Sequence, residues 1–193
     1  MKVTVYCGAA SGRVGEYKEE IERLGVEIAQ AGDELVYGGG RTGLMGAVAR
    51  AVHDHGGKVL GVIPQVLKDR EIADSSITDS LEIVADMDVR KRRLMAAGDV
   101  TITFPGGAGT LEEFSQAFSW ARLGLNDKPC VLYDFNGFWD PMKEMIDRMV
   151  ADGFVSPEHS DKLLFSHDYT EIRRFAASYQ PPAPRMDPES DSR

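Results

Sequence analysis

Pro105-Gly106-Gly107-Ala108-Gly109-Thr110-Leu111-Glu112-Glu113 sets a glycine turn directly ahead of two carboxylates. Between an apolar strand and a helix, such a turn leaves the first N–H groups of the helix unpaired and lets an anion approach the backbone. One helix end stabilises a nearby anion by about 0.3–1 kcal/mol, rising to ~2 when partly buried. Gly38-Gly39-Gly40-Arg41-Thr42-Gly43-Leu44-Met45-Gly46 is a second turn of this type. Gly39, Gly40, Thr42 and Gly43 are its candidate phosphate contacts. Either turn alone reads equally well as a tight strand-to-helix connection. Two in one short chain point to a phosphate or nucleotide site.

Glu113 has two readings. With Thr110 it fits a capping box, which stabilises a helix by roughly 0.5–2 kcal/mol and does no chemistry. Alternatively it is a carboxylate in the first helical turn, beside a bound phosphate, steadying a sugar cation or activating water. Arg90-Lys91-Arg92-Arg93 is the densest positive run in an acidic chain. Arg92 and Arg93 read as a solvated helix face. Arg90 and Lys91 fall where a helix begins beside the ligand edge of a sheet, and an arginine there holds a phosphate or purine edge with paired donors. Glu71, in a weakly patterned polar stretch from Leu67 to Ser80, is a further candidate; a segment that long in an α/β domain is usually functional or mobile.

Two nucleotide chemistries are disfavoured. Gly38 to Gly43 satisfies G-x-G-x-x-G, but a dinucleotide reader also wants an acidic residue about 20 positions on. The next strand ends instead in Ile63-Pro64-Gln65. Neither turn supplies the Gly-Lys-Ser/Thr of a P-loop.

The elements that must position these residues alternate along the chain. Strands are expected at residues 3–7, 34–37, 58–63, 81–84, 100–104, 129–133 and 163–165. Between them lie helical patterns, such as the Leu44, Ala47, Val48, Ala51, Val52 stripe and the basic helix from about Asp88 to Ala97. This alternation predicts a single-domain α/β fold, a Rossmann-like doubly wound parallel sheet with helices on both faces. Ligands of such sheets bind beyond the carboxyl ends of the strands, where both turns sit. The domain is expected over residues 1–179. The stretch 180–193, with four prolines and no apolar periodicity, reads as a disordered tail.

Composition narrows the class. The chain has 193 residues and a formal net charge of −9 from 22 basic and 31 acidic side chains. That argues against a general nucleic-acid binder, which needs excess Lys and Arg to neutralise phosphates. A domain of this size buries about 70% of its unfolded surface, enough to stand without disulfide or metal. Cys7 and Cys130 are too few for a disulfide framework, and the four histidines form no zinc-ligand spacing. No apolar run approaches the roughly 18 residues of a membrane span. A soluble, cytoplasmic protein without bound metal is the expectation.

Several motifs in order resemble the LOG (lonely guy) family of cytokinin riboside 5′-monophosphate phosphoribohydrolases, often labelled lysine decarboxylases. Residues 105–113 match the family's P-G-G-x-G-T-x-x-E signature. Tyr6 to Gly12 resembles its first strand and turn. Gly38 to Gly46 resembles its G-G-G-x-x-G-L-M-G. Ile63-Pro64 with Arg70-Glu71-Ile72, Asp86 to Lys91, and Ser119 to Pro129 resemble its later motifs. About residues 1–178 are covered. No pyridoxal lysine or other decarboxylase constellation is evident.

The resemblance implies hydrolysis of a nucleoside 5′-monophosphate to free base and ribose 5-phosphate, without a cofactor. It implies Arg90 and Glu113 as catalytic pair, and substrate contacts from Glu71, Arg90, Lys91, Gly107, Ala108, Gly109, Thr110, Leu111, Glu112, Glu113 and Ser119. Ala108 stands where many members carry Tyr, Asp88 where His is common, and Ser119 replaces Thr. One extra residue separates Glu71 from Arg90. These departures bear on base preference. A helix apolar on two sides, with Leu111, Phe114, Phe118 and Ala121 on one and Ala117 and Trp120 on another, fits the family's usual homodimer; packing of Trp120 under the Asn126 loop explains it equally. The expected function is cleavage of cytokinin riboside monophosphates and AMP. The alternative is a non-catalytic nucleotide- or molybdenum-cofactor-carrier-like binding protein, since molybdenum-cofactor carriers share a similar glycine-turn fold.

Overall fold

Alternation along the strands sets the layering. In the computed structural model, which describes residues 1–68, 70 and 76–184, β1 (Lys2–Tyr6) turns Val3 and Val5 into one buried cluster and Tyr6 into another. Successive side chains of a strand point to opposite faces, so a strand apolar on both must be covered on both. β2 (Glu34–Tyr37) repeats the pattern, with Leu35 and Tyr37 on the first face and Val36 on the second. β3 (Lys58–Pro64), β4 (Ser80–Val84), β5 (Val100–Thr103), β6 (Cys130–Leu132) and β7 (Leu163–Phe165) complete a parallel sheet of seven strands in the order β4-β3-β2-β1-β5-β6-β7. The expected Rossmann-like α/β fold is present.

α1 (Glu16–Gln30), α2 (Gly43–Asp54) and α8 (Tyr169–Ser178) cover the first face through Ile21, Leu24, Ile28, Val48, Val52 and Ile172. α4 (Met87–Ala97) and α5 (Ala108–Arg122) cover the second through Leu94, Met95 and Ala117. Phe114, Leu132, Trp139 and Ile146, the last from α6 (Asp140–Ala151), form a third cluster. Two one-turn helices, α3 (Gln65–Lys68) and α7 (Pro157–Ser160), were not expected; one turn is too short to carry a period.

The strand order places the site. From β1 the chain winds outward through β2, β3 and β4, then returns to the other side of β1 for β5. Loops leaving β1 and β5 therefore part company, and a crevice opens beyond their carboxyl ends.

Glu71 lies outside the described residues, as does 69 and the rest of 71–75. Asp79 rejoins the sheet ahead of β4, exchanging backbone and side-chain hydrogen bonds with Val59. Residues 180–184 carry no helix or strand, yet Pro182 is buried and the Ala183 N–H donates to Glu158 at 3.4 Å. The remainder of the expected tail, 185–193, lies outside the described residues.

Candidate active site

A cleft of about 460 Å³ occupies the switch point. The loop after β1, residues 7–12, forms one wall, and Pro105 to Gly107 with Gly109, Thr110, Glu112 and Glu113 forms another. Met87, Arg90 and Lys91 close it from α4, with Tyr17, Leu44, Met45 and Phe138 completing the lining.

α5 begins at Ala108 with Gly107 as its N-cap, and no side chain caps it. The capping-box reading of Thr110 and Glu113 is thereby set aside. Thr110 is already inside the helix, and Glu113 falls in the second turn rather than the first. Glu113 is half-buried and makes no hydrogen bond or ion pair within the described residues, so its carboxylate is free to meet a ligand in the cleft. Burial, the largest influence, raises its pKa to about 7; Arg90 and Lys91 pull it down and Glu112 pushes it up. A carboxyl poised near neutrality in a cleft suits proton transfer.

A Cβ on Gly107 or Gly109 would meet nothing within 4 Å. Packing does not demand glycine at either position. What their bareness does is open the N–H groups at the start of α5 to the cleft.

Arg90 is only 6% exposed, and its guanidinium is locked in place. Nε donates to the Val62 carbonyl at 3.1 Å and Nη2 to the Gly38 carbonyl at 2.8 Å. Nη1 meets Met87 Sδ at 3.8 Å, leaving donor capacity toward the cleft. Asp86 starts α4 by accepting from the Val89 N–H at 2.8 Å, which sets the helical phase that delivers Arg90 and Lys91 to the opening. Lys91 Nζ donates to Glu112 at 2.6 Å and pairs with Asp88 at 3.3 Å. The bond to Glu112 raises the pKa of Lys91 further.

The first glycine turn enters the cleft lining only at its helical end. Gly39, Gly40, Thr42 and Gly43 are not among the residues that line the cleft, whereas Leu44 and Met45 of that motif are. A side chain at Gly38 would collide with the Arg90 guanidinium, and one at Gly43 with the Ala9 carbonyl. The Leu44 N–H is spent on the Gly8 carbonyl at 3.2 Å. Close packing accounts for glycine at positions 38 and 43. The loop after β1 lines the cleft alongside the start of α5.

Of the other expected contacts, Gly107, Gly109, Thr110 and Glu112 line the cleft, whereas Ala108, Leu111 and Ser119 do not. Leu111 is 39% exposed, so it does not share the buried face of Phe114 and Ala121. Ser119 lies six residues beyond Glu113, about 9 Å along the helix, and faces solvent. Cys7, Gly8, Ser11, Gly12, Tyr17, Met87 and Phe138 line the cleft without having been singled out as site residues from sequence. Gly8 and Gly12, directly after an apolar strand, were the available signal. Among the described residues no cluster of His, Cys, Asp and Glu could hold a metal, and no helix is long and apolar enough to cross a membrane.

A family model described as possible lysine decarboxylase matches residues 45–174. Cytokinin riboside 5′-monophosphate phosphoribohydrolase LOG7 of Arabidopsis thaliana is 39% identical over 180 residues, 93% of this chain and 82% of the relative. LOG of Oryza sativa subsp. japonica is 42% identical over 157 residues, 81% of this chain and 64% of the relative. The chain belongs to the LOG family. The Moco carrier protein from Chlamydomonas reinhardtii shares the fold with a TM-score of 0.68 at 18% identity, over 92% of this chain and 98% of that one. The decarboxylase description does not suit this LOG-family cleft. A pyridoxal aldehyde needs an amine free to form an imine, and Lys91 is held as an ammonium between two carboxylates.

Proposed function

We propose that this LOG-family chain hydrolyses the N-glycosidic bond of cytokinin riboside 5′-monophosphates and AMP. The observation that carries this reading is a half-buried, unpartnered carboxylate, Glu113, in one cleft with an immobilised guanidinium, Arg90, and a bare helix N-terminus.

The phosphate rests on the N–H groups opened by Gly107 and Gly109, with Thr110 beside them. Lys91 adds a cation at the rim. The ribose then lies along α5 toward Glu113, one turn further on. As the C1′–N bond breaks, its electron pair leaves with the base and positive charge spreads over C1′ and the ring oxygen. Ionised Glu113 stabilises that charge and takes a proton from the attacking water, whose oxygen bonds to C1′; that proton passes through solvent water to the departing base nitrogen, which yields the neutral base and restores the carboxylate. Arg90 is fixed before substrate arrives, so no reorganisation opposes its hydrogen bonds to the departing nucleotide parts. Every step uses side chains and water alone. Glu71, the exposed Ala108, Leu111 and Ser119 remain proposed contacts on the resemblance alone.

The chain acts as a cytoplasmic homodimer in this reading. Leu111, Leu123 and Leu125, exposed on and just after α5, support a self-association face. Light scattering checks the assembly.

Incubation with AMP and with isopentenyladenosine monophosphate, followed by chromatography, tests the activity. Free base and ribose 5-phosphate are expected in equal amounts. Tight nucleotide binding with no base released would favour the carrier alternative.

A further inference from the structure

α4 carries Arg90 and Lys91 but ends without a closure of its own. Its C-cap, Gly98, is extended rather than left-handed, and no basic residue stands in its last turn. The terminal carbonyls of a helix need donors from elsewhere in that case. Three consecutive ones find them in other elements. Leu94 accepts from Thr4 Oγ1 of β1 at 2.8 Å. Met95 and Ala96 both accept from Lys128 Nζ, at 3.0 and 2.7 Å. The ammonium also faces the negative end of the α4 dipole.

Lys128 sits in Asn126-Asp127-Lys128-Pro129, a run that the proposed mechanism does not use. The turn is anchored. Buried Asn126 donates to the Ala117 carbonyl of α5 at 3.2 Å and accepts from the Lys128 N–H at 3.3 Å. The Pro129 carbonyl accepts from the Thr101 N–H of β5 at 3.0 Å. Ala117 is one turn beyond Glu113, and Ala96 under two turns beyond Arg90. The same short turn therefore grips both helices that carry the candidate catalytic pair.

We propose that Lys128 is a positioning residue that fixes α4, with Arg90 and Lys91, at a set separation from Glu113 on α5. This rests on the hydrolase reading for its catalytic consequence, and on the hydrogen bonds above for its structural one. The two helices are also joined at the cleft end by Lys91 and Glu112. A bound phosphate competes for Lys91 and weakens that joint. The Lys128 fastening, about 6–7.5 Å further along α4, is untouched by substrate and keeps the helices registered during turnover.

Lys128→Met retains the apolar stem and removes the donors; Lys128→Arg restores donors and charge. The ionisation of Glu113, read by carbon NMR on glutamate-labelled protein and assigned with Glu113→Gln, is a readout that needs no turnover. Separating Arg90 and Lys91 from Glu113 removes charges that hold its pKa down, so the K128M midpoint is expected to rise by about half a pH unit. Turnover with AMP is expected to fall roughly 10- to 100-fold with KM within about twofold, and K128R to recover both readings. A Glu113 midpoint in K128M equal to that of the native chain, or no recovery in K128R, overturns the proposal. Absence of base release by the native chain would instead overturn the hydrolase reading, with the carboxyl titration still deciding the role of Lys128.

Discussion

At Glu113, function and stability pull in opposite directions. Burial raises its pKa to about 7, so between the ordinary carboxylate range and neutrality the folded chain holds a proton that the unfolded chain has released. Stability contributed by this group therefore falls as pH rises through that window. Glu113→Gln, which has no charge to bury, is expected to raise the melting temperature at pH 8 and to change it little near pH 4. The gain has an upper bound of about 3 kcal/mol, and calorimetry at the two pH values checks it. Activity runs the other way. The mechanism needs the carboxylate, so kcat/KM should climb as pH passes through about 7, and a profile flat from pH 5 to 8 would contradict the assigned role. Arg90→Lys keeps the charge, but a single ammonium on a flexible stem cannot reproduce the fork that spans the Val62 and Gly38 carbonyls. A loss of about 10²–10³ in kcat is expected, with circular dichroism unchanged.

Among the elements, α4 and α5 decide whether those side chains meet. Asp86→Ala removes the acceptor for the Val89 N–H and should destabilise the chain by about 0.5–2 kcal/mol. Urea unfolding measures it. Gly43→Ala sets a Cβ against the Ala9 carbonyl in a left-handed backbone, φ +60°, and should destabilise by more than about 1 kcal/mol. These two substitutions mark what was legible in sequence. The α5 turn and the Arg90-Lys91 helix could be read because a glycine run after an apolar strand, or a dense basic run in an acidic chain, leaves a local signature; the Asp86 cap became visible only in the structure. At the turn from Gly38 to Gly43 the sequence alone cannot separate two causes, because close backbone packing and ligand approach both demand glycine. The Thr110–Glu113 box fitted its pattern and still failed, because Gly107 takes the N-cap position and shifts the helix start ahead of Thr110.

At the scale of the whole molecule, the cleft exists because β5 lies beside β1 and not beyond β4. Strand alternation announces a parallel sheet, but it carries no mark of which strands are neighbours. For that reason Gly8, Ser11 and Gly12 escaped the sequence reading as site residues although they belong to one wall of the cleft. Ser119 shows the reverse: a motif position within the resemblance that the fold of one chain leaves outside the cleft. The arrangement as a whole predicts that binding and cleavage are separable, with phosphate capture on the start of α5 and bond breaking one turn along it. Calorimetric titration of isopentenyladenosine monophosphate into native and Glu113→Gln protein, paired with base release in the same samples, tests this most directly. Similar affinity in both, with release lost only in Glu113→Gln, is the predicted result; base release undiminished in Glu113→Gln would contradict it.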